Sequence, residues 1–276
     1  MALNKFNYSC IIDDLKTIKN VYQHNKIDIH NNNDEAFKIC CTKGSLKVAK
    51  WLYKIGGPIN YDIPFELALI NKHFDIAGWI YDIRHEDEEI IVRHNKVLIN
   101  IIMETGDLFT CQWLNSLENF DIDTQNFAFI VSCEYGYISI AEWLFSLGNI
   151  SIYSKNEAFI QCCFYGYFNI AKWIYSLNDI DINYNNSYAF RMSCYRNFNT
   201  ITQWLYSLGP INIYANKNEA FKYLCINGNI NMAKIIYGLG KINIHMDNNI
   251  IFKLCDKYHE PIKKWLHKIK KKHLNP

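Results

Sequence analysis

The amino-acid sequence predicts an all-α protein, an elongated helix-turn-helix solenoid of about eight repeats with capping ends. The first observation is a tryptophan that recurs about every 30 residues, at Trp51, Trp79, Trp113, Trp143, Trp173 and Trp204, with Ile235 and Trp265 continuing the series. The second is an aromatic residue that precedes most of these positions by fourteen residues, and the third is a glycine between the two. A fixed period in this range is typical of stacked repeats, because a single repeat cannot bury its own apolar face.

Each repeat is predicted to begin with a short helix around an anchor residue. The anchors are Phe37, Phe65, Ile99, Phe129, Phe159, Phe190, Phe221 and Phe252. A polar side chain three positions earlier is expected to cap the helix, and these residues are Asp34, Asp62, Asn126, Asn156, Ser187, Asn218 and Asn249. A left-handed glycine is expected to end it, at Gly44, Gly106, Gly136, Gly166 and Gly228. In the two other repeats we expect Asn71 and Arg196 at that place.

The second helix of the repeat has one apolar face, formed in one copy by Ile170, Trp173, Ile174 and Leu177. A small residue two positions before the tryptophan position allows close helix packing; it is alanine at Ala49, Ala77, Ala141, Ala171 and Ala233. An extended segment, called the finger below, then leads to the next repeat, as at 150–153, 211–214 and 242–245.

The segments Gly44–Gly56 and Gly228–Gly240 resemble the second half of an ankyrin repeat, in which a glycine leads into a Val-Val-Lys-Leu-Leu-like helix and a closing glycine. The resemblance covers roughly residues 31–276. Within the family, the chain is similar to the ankyrin-repeat proteins of giant DNA viruses of amoebae. Two features depart from the family, since Asn-Glu-Ala-Phe replaces Thr-Pro-Leu-His and tryptophan replaces leucine. The resemblance implies a degenerate N-terminal capping repeat (1–30), a repeat array (31–245) and a C-terminal capping repeat with a basic tail (246–276). It also implies a protein partner, which would be a host protein if the chain is viral.

The composition narrows the class of protein. Half of the 276 residues are hydrophobic, which argues against a disordered chain, and a net charge of +2 gives no global attraction to nucleic acid. The first residues lack the apolar run of a signal peptide, and the longest apolar run, 97–103, is too short for a membrane span. We expect an intracellular, cytoplasmic protein, with the nucleus as the alternative, whose ten cysteines stay reduced.

No residue pattern predicts catalysis, a metal or a cofactor. Most cysteines lie three or four residues after an anchor, where a thiol packs much as alanine does, and this spacing spreads them along the array. The sequence contains no His-Glu-x-x-His motif, no phosphate-binding loop and no nucleophile elbow. We therefore expect no enzymatic activity and no small-molecule substrate.

The best candidate for a partner-binding site is a set of aromatic residues around the turns and fingers of the central repeats, because tyrosine and arginine are favoured in protein interfaces. Its residues are Tyr135, Tyr137, Phe164, Tyr165, Tyr167, Tyr195 and Arg196 at the turns, and Tyr153, Tyr184 and Tyr214 in the fingers. If they align in space, they form one stripe. The alternative for each residue is packing between repeats.

Two charged segments leave further alternatives open. The acidic insertion 82–90 is either a solvated loop or part of a binding face. The basic segment 263–273 is either the polar face of a capping helix or a nuclear-targeting or nucleic-acid-binding module. The sequence thus predicts a protein–protein interaction scaffold, with nucleic-acid binding or nuclear targeting through the basic end as the alternative function. A structural protein without a specific partner is the third possibility.

Overall fold

The computed structural model describes residues 2–84, 90–240, 242, 244, 251–252 and 260–274. Every regular element of this part of the chain is an α-helix, which confirms the all-α prediction. The described helices include none that is long and apolar enough to cross a membrane. Most of the acidic insertion, the finger residues 243 and 245, the predicted cap Asn249 and Cys255 lie outside the described residues.

The chain forms two compact units, Met1–Ala128 and Phe129–Pro276. The helices of the first unit are α1 (Ala2–Ile11), α2 (Leu15–His24), α3 (Asn31–Lys43), α4 (Leu46–Ile55), α5 (Asp62–Ile70), α6 (Phe74–Arg84), α7 (Ile90–Thr105) and α8 (Leu108–Leu117). Each odd-numbered helix and the next even-numbered one form a pair joined by a short turn. Helices α1, α3, α5 and α7 also pack on one another in that order, so the pairs of this unit are stacked.

The second unit repeats the same arrangement. Helix α9 (Ile122–Glu134) begins in the first unit and ends in the second. It is followed by α10 (Ile138–Ser146), α11 (Ile152–Tyr165), α12 (Phe168–Ser176), α13 (Tyr184–Tyr195), α14 (Asn199–Ser207), α15 (Ala215–Ile226), α16 (Ile230–Gly238) and α17 (Glu260–Leu274). Helix α13 packs on both α11 and α15, while α12, α14 and α16 pack on their own first helices.

The recurring tryptophans connect neighbouring helix pairs. The ring of Trp204 lies 6.0 Å from the anchor Phe159 and 5.7 Å from Tyr175, both in the preceding pair, and Tyr175 meets it edge-on at 82°. The same three-ring contact occurs at Trp51, Trp79, Trp173 and Trp265. Aromatic pairs in such geometries contribute about 0.5–1.5 kcal/mol beyond the area that they bury. The period of the aromatic residues therefore reflects contacts between successive pairs.

The turn inside each helix pair needs a left-handed residue seven positions after the anchor. Glycine provides it at five turns with φ between 59° and 89°, as predicted, at Gly44, Gly106, Gly136, Gly166 and Gly228. At the two turns without glycine, the left-handed residues are Lys72 (φ 63°) and Asn197 (φ 60°). The prediction of Asn71 and Arg196 was wrong by one residue, because both have ordinary negative φ values, of −91° and −77°, at the helix end.

The predicted cap positions agree with only some of the starts of the first helices. Helix α11 begins four residues before Asn156, and its cap is Ser151, whose Oγ accepts a hydrogen bond from the backbone N–H of Ser154 at 3.1 Å. Residues 152 and 153, predicted to be extended, are therefore helical. Asp62 and Asn126 are not N-caps either. Asp34, Ser187 and Asn218 directly precede the right-handed part of α3, α13 and α15, at the predicted position.

Two of the supposed caps instead connect a helix to the following finger. Buried Asn156 accepts a hydrogen bond through Oδ1 from the backbone N–H of Asp181 at 2.9 Å. Buried Asp34 accepts one through Oδ2 from the N–H of Ile59 at 2.8 Å. Each side chain satisfies a finger N–H that has no helical partner. These two polar side chains therefore each bond a first helix to the finger 25 residues further along the chain.

Three first helices, α3, α13 and α15, begin with a left-handed turn. The residues at 32–34, 185–187 and 216–218 all have φ between 48° and 63°. Asparagine is among the few residues other than glycine that enter this region readily, and it supplies most of these positions. In α13 the buried Arg191 donates from Nε to the Asn186 carbonyl at 2.9 Å and from Nη2 to that of Asn185 at 3.3 Å.

The segment predicted to be a degenerate first repeat contains a helix pair with the spacing of the others. Phe6 occupies the anchor position, Asp13 is left-handed (φ 54°) seven residues later, and both Phe6 and Tyr22 contact Trp51 of the next pair. The repeat was predicted only in degenerate form because its turn has an aspartate instead of glycine and its second helix has no tryptophan.

Candidate partner-binding surface

Seven of the predicted site residues lie at three consecutive turns of the second unit and form what we call the turn cluster: Tyr135, Tyr137, Phe164, Tyr165, Tyr167, Tyr195 and Arg196. The left-handed glycine brings the residues on either side of it together. Tyr135 and Tyr137 stack with ring centres 6.3 Å apart and an interplanar angle of 18°. Tyr165 and Tyr167 repeat this arrangement at 6.5 Å and 27°.

The aromatic residue after the glycine packs over the glycine of the preceding turn. A Cβ atom on Gly136 would lie 2.7 Å from the ring of Tyr167, and one on Gly166 would lie 2.8 Å from the ring of Phe198. The glycines thus allow both the left-handed turn and the close approach of the next repeat. This part of the cluster serves packing between repeats, which was the alternative that the sequence left open.

The aromatic residue before the left-handed position is exposed at all three turns, and Tyr167, which follows its glycine, is exposed to a similar extent, at 36%. Tyr135, Tyr165 and Tyr195 retain 38%, 39% and 51% of their surface exposed. The Tyr165 hydroxyl donates to Oε1 of Glu134 at 3.1 Å, which holds the ring toward the preceding turn. This hydrogen bond to a carboxylate, followed by burial, raises the pKa of Tyr165. Its hydroxyl therefore stays neutral at physiological pH.

One cation lies within the turn cluster. The guanidinium of Arg196 is 5.1 Å from the centre of the Phe164 ring and 5.9 Å from that of Phe198, within the range of cation–π attraction. Tyr195 lies 5.0 Å from Tyr223 of α15, which extends the cluster by one repeat. Burial, followed by the hydrogen bond to Glu219, raises the pKa of Tyr223 to about 12.

The finger tyrosines do not belong to the same surface. Tyr153 and Tyr184 are at the beginnings of α11 and α13, where their rings meet edge-on at 6.4 Å. Tyr153 and Tyr165 are twelve residues apart on α11, which corresponds to about 18 Å along the helix. Tyr214 precedes α15 and donates to the Gly240 carbonyl at 2.8 Å. The structure thus places the predicted stripe in two groups at opposite ends of the first helices.

Sequence reasoning missed two residues that contact the turn cluster, Glu134 and Tyr223. Glu134 directly precedes the first tyrosine of its turn, so a search for polar neighbours of the aromatic residues would have found it. Tyr223 lies one repeat beyond the last predicted turn residues, Tyr195 and Arg196, and two residues after the anchor Phe221. Only the stacking of α15 on α13 brings it to Tyr195.

The nine described cysteines are all buried and reduced. Burial raises the pKa of Cys111 and Cys194 to about 12, and it raises those of Cys41 and Cys163 further. A buried neutral thiol is a poor nucleophile and a poor metal ligand. Within the described part of the chain, no group of three or more histidine, cysteine, aspartate or glutamate side chains is placed to hold a metal ion.

A surface groove of about 400 Å³ lies in the first unit, between α7 and the start of α9. Its lining residues are Lys96, Ile99, Asn100, Asp121, Asp123, Thr124 and Phe127. Asp121 accepts the backbone N–H of Thr124 at 2.7 Å, and Asn100 donates to Glu66 at 2.9 Å. The first bond lies at the start of α9, and the second connects α7 to α5. Both therefore serve contacts within the fold.

The fold and the turn cluster define an all-helical protein built from repeated helix pairs, which presents aromatic side chains at its turns. No protein-family model matches this chain, and comparison with curated proteins finds no match.

Proposed function

We propose that the chain is a non-enzymatic scaffold of about eight ankyrin-like repeats that binds a protein partner through the turn cluster. The observation that carries the proposal is the presence of partly exposed tyrosine rings at three consecutive turns, Tyr135, Tyr165 and Tyr195, whose positions are fixed by neighbouring rings and by Glu134. Tyrosine contributes a large contact area with few rotatable bonds. Rings that are already held in place lose little entropy on binding, so this surface is suited to recognition.

The ankyrin-like assignment is supported by three features of the described helices. Helix pairs are joined by turns with a left-handed residue, first helices stack on first helices, and the three-ring contact recurs between successive pairs. In this scheme α17 covers the last repeat, with Ile262, Leu266 and Ile269 buried beneath it. Lys264, by contrast, is exposed, with its Nζ 3.9 Å from Glu260. This pattern favours a capping helix over a nuclear-targeting segment for the basic end.

The test compares two double variants in affinity capture followed by binding measurements with the captured protein in purified form. The turn variant carries Tyr135→Ala and Tyr165→Ala, and the control carries Tyr8→Ala and Tyr153→Ala, which removes two tyrosines that are 59% and 60% exposed elsewhere. Circular dichroism first establishes that both variants fold. We expect an amoebal lysate to yield a protein that binds the intact chain and the control equally and the turn variant at least about tenfold more weakly, as for the loss of two interface anchors.

Loss of binding in the control alone would contradict the assignment to the turn cluster and implicate the exposed tyrosine of the finger or of α1. If both variants bind the captured protein as tightly as the intact chain does, the turn cluster and the exposed tyrosines of the control are all excluded as the binding site. Repeating the binding measurement at high salt distinguishes protein binding through the turn cluster from nucleic-acid binding through the basic segment 263–273. Contacts made mainly by tyrosine rings weaken little as salt rises, whereas contacts of a basic segment with nucleic acid weaken steeply.

A further inference from the structure

Five lysines occupy the outward faces of two adjacent helices in the first unit, α2 and α4, and form what we call the lysine patch: Lys16, Lys19, Lys47, Lys50 and Lys54. All five are exposed. On α4 the three lysines are three and four residues apart, a spacing that places side chains on one face of a helix with about 5–6 Å between neighbours. The patch is therefore a regular arrangement of cations.

The packing of the two helices places the lysines side by side. Lys16 and Lys47 are each the second residue of their helix, and Lys19 and Lys50 are each the fifth. The contact of Tyr22 with Trp51, at 5.5 Å between ring centres, fixes this register. Packed helices lie about 8–10 Å apart, so the patch consists of two rows at that separation.

Two carboxylates lie at the N-terminal end of the patch, where Asp14 accepts the backbone N–H of Thr17 at 2.9 Å and Asp13 accepts that of Val48 at 3.0 Å. The Nζ of Lys50 lies 5.8 Å from the centre of the Trp79 ring. Helices α2 and α4 contain no aspartate or glutamate, and in the described part of the chain none of the five lysines forms an ion pair. The corresponding positions of the next outer helix, α6, have the opposite sign, with exposed Asp75 where α4 has Lys47 and exposed Asp82 where it has Lys54. The positive field is thus confined to a strip two helices wide.

We propose that the lysine patch binds the phosphate backbone of nucleic acid without reading its sequence. This surface is separate from the turn cluster and does not depend on the proposed protein partner. The net charge of +2 conceals the patch, because acidic residues elsewhere in the chain balance the lysines gathered here.

The shape of the strip favours a linear polyanion over a membrane, and its side chains favour contacts that do not read a base sequence. A flat anionic membrane would extend beyond the strip and meet the carboxylates of α6, whereas a linear polyanion fits within it. The patch contains no arginine, so it offers phosphate the point charges of lysine and no bidentate contacts. Tyr53, the most exposed ring on α2 and α4, packs against Trp79 at 5.6 Å, so the patch has little means of reading bases.

The experiment measures fluorescence anisotropy of a labelled duplex of about 20 base pairs with the full chain, between about 50 and 200 mM salt. Five phosphate contacts predict a slope of log affinity against log salt of about −4.5. The variant with Lys47→Gln, Lys50→Gln and Lys54→Gln should reduce the slope to about −1.8 and weaken binding at the lowest salt at least tenfold. Duplexes of unrelated sequence should bind equally.

The matched control replaces three exposed lysines of α17 by glutamine, Lys264, Lys268 and Lys271, with the same change in net charge. It should bind as the intact chain does. The proposal is overturned if the intact chain shows no salt-dependent binding, or if the α17 variant loses as much affinity as the α4 variant. It is also overturned if polyglutamate, or vesicles of phosphatidylcholine and phosphatidylserine, bind at lower concentrations than the duplex does. Circular dichroism of both variants excludes unfolding as the cause of any loss.

Discussion

Replacing Arg191 by methionine removes a charge on which two other groups depend. Arg191 is 4% exposed and pairs with Glu219 of α15, whose side chain is 26% exposed. It also donates to the carbonyls of Asn185 and Asn186 in the left-handed turn. Removing one partner of a fully buried pair costs about 3–5 kcal/mol. Because water reaches part of Glu219, we expect Arg191→Met to lower the free energy of unfolding by about 2–3 kcal/mol at pH 7.

The pH dependence shows how much of the stability lost in Arg191→Met comes from the pairing with the Glu219 carboxylate. Burial alone would raise the pKa of this carboxyl, but hydrogen bonds from Arg191 and Tyr223 outweigh it and lower the pKa below its usual value. A lowered pKa in the folded state contributes stability that is complete above the unfolded value of about 4.3 and is lost as pH falls through the folded value. The difference between the intact chain and the variant should therefore be full at pH 7 and should shrink below about pH 4.

Urea unfolding followed by circular dichroism measures this difference in the free energy of unfolding at two pH values, pH 7 and one below about pH 4. Arg196→Met is the matched control, because it removes an exposed arginine that contacts only rings, and it should cost at most about 1 kcal/mol. A double-mutant cycle with Glu219→Gln isolates the coupling between the two charges. A loss below about 1 kcal/mol at pH 7, or a loss that is the same at both pH values, would refute the assignment of this pair.

Two further substitutions test the contacts between repeats, each by urea unfolding. Gly166→Ala introduces a Cβ 2.8 Å from the Phe198 ring at φ 89°, whereas Gly148→Ala has the same backbone strain (φ 88°) but no atom within 4 Å; we expect a loss of about 1 kcal/mol for Gly148→Ala and at least about 1 kcal/mol more for Gly166→Ala. Equal losses would contradict the close contact. Ile235→Trp places the recurring tryptophan in α16, where the second unit has an isoleucine that is 47% exposed, and should stabilise this unit by about 0.5–1.5 kcal/mol. A neutral or negative change would show that this interface does not admit the three-ring contact.

Much of the repeating unit could be predicted because its contacts recur at a fixed spacing. The anchor Phe159 and the helix face around Trp173 follow directly from periodicity. The starts of the first helices could not be predicted in this way. Asn156 has the chemistry of a cap but bonds to a finger 25 residues further on, and nothing local distinguishes the two uses.

The candidate site was predicted residue by residue but not as a surface. The pairing of Tyr135 with Tyr137 follows from the glycine between them, which is a local feature. Whether Tyr153 joins Tyr165 depends on where α11 begins, because a helix that includes both separates them by about 18 Å. The wrong helix start thus led to the expectation of one continuous stripe.

The left-handed turns correlate with a sequence feature that can be recognised only once the structure is known. In the three first helices that begin with such a turn, the residue after the anchor is basic, at Lys38, Arg191 and Lys222. In three that begin without one, the same position is Glu66, Ile130 or Ile160. Arg191 shows the physical reason, since its guanidinium donates to two carbonyls of the turn, groups that helical hydrogen bonding leaves unsatisfied there. A cation at this position and asparagine five or six residues before it therefore favour the same backbone, which neither the helix period nor helix propensity predicts.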